Sequence, residues 1–70
     1  MDKKFYFDGA WYMGTEEVAA KVGELKETAA RMHESGDVFG ATEIEAVIED
    51  VIADALYALD AYELDERRVA

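Results

Sequence analysis

The chain has 70 residues, a net charge of −10 and no cysteine or proline, with just over half its residues apolar. That excludes a disulfide scaffold and a thiolate metal site. With His33 as the single histidine it excludes a zinc finger, and the apolar content is too high for a disordered chain. What remains is one domain in the size range where a single core is marginal and a partner chain commonly supplies the missing burial.

The charge is uneven. Residues 1–36 hold seven acids and five bases, whereas residues 37–70 hold ten acids and only Arg67 and Arg68 as bases. Direct binding to nucleic acid or an anionic membrane needs Lys and Arg and is not expected. A basic partner protein is favoured instead. Met1-Asp2-Lys3-Lys4 leads straight into an aromatic segment, and no apolar run approaches the ~20 residues of a bilayer span, so the expected compartment is the cytoplasm.

Along the chain, Asp8-Gly9 between Lys4-Phe5-Tyr6-Phe7 and Ala10-Trp11-Tyr12-Met13 predicts a hairpin over 4–13 with a two-residue type I′ turn. In that register Phe7 faces Ala10, Tyr6 faces Trp11, Phe5 faces Tyr12 and Lys4 faces Met13. One face is Phe5, Phe7, Ala10 and Tyr12; the other is Lys4, Tyr6, Trp11 and Met13. Both are apolar, and one layer of helices covers one of them, so Tyr6 and Trp11 are candidate partner-binding residues. Gly14 is expected to break the strand and Thr15 to cap a first helix over 16–34 that stops at Ser35-Gly36. Its apolar stripe is Val18, Val22, Leu25, Ala29 and Met32. His33, near its end, suits a helix C-terminus as a cation better than it suits a general base.

Residues 37–41 read as a connecting loop with Val38 and Phe39 tucked beneath it. Thr42 with Glu45 reads as a capping box that opens a long second helix over 43–65. The expected fold is therefore α+β, a ββαα arrangement in which the N-terminal hairpin packs on two antiparallel helices. At 100° per residue the second helix gathers a broad apolar face from Ile44 to Tyr62. Its arc, about 180°, exceeds the ~100–140° that its own chain would cover. A homodimer through Val51, Ile52, Leu56 and Leu59 is the simplest cover. Two acidic rails flank that face: Glu45, Glu49, Asp60 and Glu63 on one side, Glu43, Asp50 and Asp54 on the other.

Glu45, Glu49, Asp50 and Asp54 are the one set resembling a catalytic constellation, that of the MazG-type nucleotide pyrophosphohydrolases, whose paired acidic helices hold magnesium. The resemblance implies a metal-dependent hydrolase with those four as ligands. The wheel sets the two pairs about 140° apart, and the first helix offers Lys21, Glu24 and Glu27 where that family has a double-glutamate motif. No enzyme, metal or cofactor is therefore expected. In size, acidity and lack of motifs the chain resembles the small inhibitors of phages and mobile elements, such as anti-CRISPR and anti-restriction proteins. That implies an inhibitor or adaptor that blocks a nucleic-acid-handling protein by charge mimicry, with the rails, Tyr6 and Trp11 as contact residues. A structural homodimeric module is the alternative.

Overall fold

The computed structural model describes residues 2–64. Strands β1 (Asp2–Phe7) and β2 (Ala10–Thr15) form the expected hairpin, helices α1 (Glu16–Glu34) and α2 (Val38–Tyr57) follow, and a short strand β3 (Ala61–Leu64) is the last described element. The sheet order is β1-β2-β3, antiparallel throughout. The architecture is thus α+β as expected, with one strand more than ββαα.

Asp8 and Gly9 take positive φ, 51° and 84°, as a type I′ turn requires, and every hairpin pair falls in the expected register. Gly14 does not end the strand. It lies buried within β2, paired with Lys3 on one side and Ala61 on the other. A Cβ at Gly14 would stand 3.0 Å from the Ala61 Cβ, 3.1 Å from the Phe5 ring and 3.3 Å from the Asp60 carbonyl oxygen. Glycine is what lets β3 and Phe5 approach this closely. Gly14→Ala is expected to cost about 1–3 kcal/mol through overpacking, read as a lower midpoint in thermal unfolding.

Helix α1 opens on Thr15, whose Oγ1 accepts from the Val18 N–H at 3.2 Å. It ends in a Schellman motif: Gly36 sits at φ 86°, its N–H donates to the His33 carbonyl, and the Asp37 N–H donates to that of Met32. The second helix starts five residues earlier than expected because Asp37, directly after that turn, takes the cap and its Oδ1 accepts from the Gly40 N–H at 2.9 Å. The expected Thr42–Glu45 capping box does not form. Thr42 donates back to the Val38 carbonyl inside the helix, and Glu45 turns to His33. Val38 and Phe39 are accordingly on the helix and exposed, Phe39 at 88%, rather than tucked under a loop.

The same helix also stops earlier, at Tyr57 rather than near Asp65. A second Schellman motif ends it: the Leu59 N–H donates to the Leu56 carbonyl and the Asp60 N–H to that of Ala55. Here a leucine, φ 65° and 88% exposed, occupies the position glycine usually takes. Leu59→Gly is expected to raise stability by about 0.5–1 kcal/mol by relieving the left-handed backbone, seen as a higher melting temperature. The reversal at Leu59 returns the chain to the sheet, where the Thr15 N–H donates to the Asp60 carbonyl at 3.0 Å. Residues Ala61–Leu64 then pair with β2, Met13 facing Tyr62 and Trp11 facing Leu64.

Two layers result, sheet on helical hairpin, in a slab of 34 × 32 × 18 Å. The core between them is Phe5, Val22, Ile48 and Ile52, with Phe7, Tyr12, Val18, Leu25, Val51 and Leu56 among the half-buried side chains packed around it. Among the described residues no helix is long and apolar enough to cross a membrane.

Candidate functional site

Strand pleating sends alternate residues to opposite faces. Phe5, Phe7 and Tyr12 turn to the helices, and the Phe5 and Tyr12 rings stack with centroids 5.3 Å apart. The opposite face is built from two cross-strand rows, Lys4–Met13–Tyr62 and Tyr6–Trp11–Leu64. No described element covers it. Tyr6, Trp11 and Tyr62 remain 42%, 38% and 55% exposed. The Tyr6 and Trp11 rings lie 5.0 Å apart at a tilt of 58°, the edge-to-face type of contact that aromatic quadrupoles favour. Lys4 Nζ stands 4.8 Å over the Trp11 ring and Lys26 Nζ 5.8 Å over that of Tyr6, so each ring is held by a cation. Lys26 also donates to the Tyr6 carbonyl, tying edge strand β1 to α1.

Sequence reasoning found four residues of this face and missed Tyr62 and Leu64. It placed both on a helix, because Leu59, Tyr62 and Glu63 continue the helical spacing without an intervening glycine or proline.

The acidic residues do not form the two rails expected of one helix. Glu43, Asp50 and Asp54 do share the exposed side of α2. The other rail is split. Glu45 Oε2 lies 3.2 Å from His33 Nε2, Asp60 is in the turn after α2, and Glu63 is on β3 beside Tyr12. Burial of the Tyr12 phenol, helped by Glu63, Asp8 and Glu49, pushes its pKa above the ordinary 10.0. The folded chain therefore holds a proton that the unfolded chain releases near pH 10, and stability falls as pH rises beyond that point. Tyr12→Phe is expected to flatten this alkaline loss in unfolding curves taken across pH 9–11.

A further expectation changes. Ile52 cannot serve an oligomer interface, because it is buried in the chain's own core, with Val51 and Leu56 packed against that core; Leu59 alone of the four is fully exposed. Nor do the acids converge: among the described residues, no three Asp, Glu or His side chains are grouped as a metal site requires.

Compared with protein-family models, curated proteins and solved structures, the chain matches none.

Proposed function

We propose that the chain is a small acidic protein-binding module, an inhibitor or adaptor that docks a basic protein through the outward face of its sheet. The observation that carries this reading is the exposure of Tyr6, Trp11 and Tyr62 together on one face of the sheet. Tyr and Trp are the residues that most often anchor protein interfaces. Three of them exposed together on one face form a contiguous aromatic patch of the kind found at interaction sites. The net charge of −10 favours encounter of the chain as a whole with a basic partner over a second copy of itself, while the face, where Lys4 and Lys26 lie over the rings, contributes apolar and aromatic contact. Proteins that hold nucleic acid carry basic surfaces of this kind, and an inhibitor of one fits the acidity of the chain.

Charge density argues for docking over imitation of a duplex. The twenty residues of α2 carry five carboxylates, Glu43, Glu45, Glu49, Asp50 and Asp54, over a length of about 30 Å. That is one charge per ~6 Å, against one per ~1.7 Å along duplex DNA. The helix provides electrostatic attraction, and the aromatic face provides the desolvated contact.

The test is capture from nuclease-treated host lysate by the tagged protein, its Trp11→Ala variant and its Tyr62→Ala variant, each eluted over a salt ladder. A stoichiometric basic partner, held by the parent chain and lost by both variants, is the expected result. Undiminished capture by both variants would dismiss the sheet face as the docking surface.

A further inference from the structure

A second uncovered surface lies between the first turns of α1 and the last turns of α2. It is a groove of about 480 Å³ lined by Val18 and Lys21 from one helix and by Val51, Asp54, Ala55 and Ala58 from the other, with Glu17 and Asp60 at its ends. Val47, 43% exposed, continues the apolar line one turn further along α2. Val47, Val51, Ala55 and Ala58 are spaced 4-4-3, a stripe of helical period. Val47 and Ala58 are exposed at the two ends of this stripe, while Val51 is half-buried against the core and Ala55 is buried at the bottom of the groove. None of the lining residues belongs to the sheet, so the groove is separate from the aromatic face.

We propose that this groove receives a basic amphipathic helix of the partner protein. The proposal rests on the reading of the chain as a module for a basic protein, and assigns one place where the basic element sits. The floor, Val18, Val51, Ala55 and Ala58, is apolar and runs between two helices, the setting in which a third helix buries an i, i+3, i+4 stripe. The rim supplies three carboxylates, Glu17, Asp54 and Asp60, against the single ammonium of Lys21. Lys or Arg side chains flanking an apolar stripe complement that rim, with their aliphatic stems on the floor and their charged ends at the carboxylates. A second copy of this chain would bring carboxylates to carboxylates and is disfavoured by the same rim.

The experiment titrates the intact protein with a Leu/Lys amphipathic helix of ~15 residues and with its Leu/Glu counterpart, following backbone amide NMR shifts. Shifts clustered at Val18, Lys21, Val51, Asp54 and Ala58 are expected with the basic peptide alone, with affinity falling as salt rises. Asp54→Asn combined with Glu17→Gln is expected to weaken that binding about tenfold; both residues are exposed, so the fold should survive the change. Shifts confined to the strands that carry Trp11 and Tyr62 would overturn the groove and leave the sheet-face reading standing. Equal binding of the Leu/Glu peptide would overturn the charge complementarity, and silence at the groove with both peptides would overturn the proposal outright. Lysate capture by the Trp11 and Tyr62 variants reads the sheet face independently of all three.

Discussion

Replacing Ile48 with alanine is expected to remove about 2–5 kcal/mol of stability, the range for large-to-small changes at a buried aliphatic site. Ile48 is fully buried, one of the two largest side chains with no solvent contact, and it belongs to the cluster that joins the layers: Phe5 from the sheet, Val22 from α1, Ile52 from its own helix. Collapse around the lost methyl groups is resisted from both sides, by the strands and by the neighbouring helix. A chain of this length holds only about 4–10 kcal/mol of folding free energy in all. The single change therefore takes a large share, and the variant populates unfolded chain at moderate temperature. Urea unfolding should show a much lower midpoint with an unchanged slope.

The second large effect is on binding. Truncating Trp11 or Tyr62 to alanine is expected to weaken partner affinity about thirtyfold or more, the ~2 kcal/mol that defines an interface hot spot. The two changes differ in what they do to the fold. Trp11 is more than half buried and packs on Tyr6 and Lys4, so its loss also costs stability. Tyr62 is more than half exposed on the short strand β3, and its truncation leaves the core untouched. Equal losses of affinity in the two variants, measured by titration calorimetry with unequal losses of stability, would separate docking from folding.

Local chemistry made the first half of the chain legible. Asp8-Gly9 between aromatic runs fixes the hairpin and its register, and Thr15 and Gly36 bracket α1, because each of these residues acts through its own backbone geometry. The second half was misread for two reasons. Asp37 and Thr42 both offer a cap, and the contest is decided by the Schellman turn at Gly36, which delivers Asp37 to the Gly40 N–H; spacing alone favours Thr42 with Glu45. At the other end, helix termination depends on a leucine in a left-handed backbone, and nothing in the identity of Leu59 signals it. The third strand follows from that reversal, and it decides both sites. It supplies Tyr62 and Leu64 to the open sheet face, and it removes Glu63 from the rail that a longer helix would have carried. The surplus apolar surface of α2 was legible, but Ile52 and Leu56 are covered from within the chain, and what is left over is the groove beside Val51.

Trp11 is the only tryptophan and stands at the centre of the proposed docking face, so quenching of its fluorescence by acrylamide, with and without bound partner, is the most direct measurement. Ready quenching in the free protein is expected, with strong protection and a blue shift when the partner is bound. Quenching that is unchanged in the complex would contradict the assignment of this face as the docking surface.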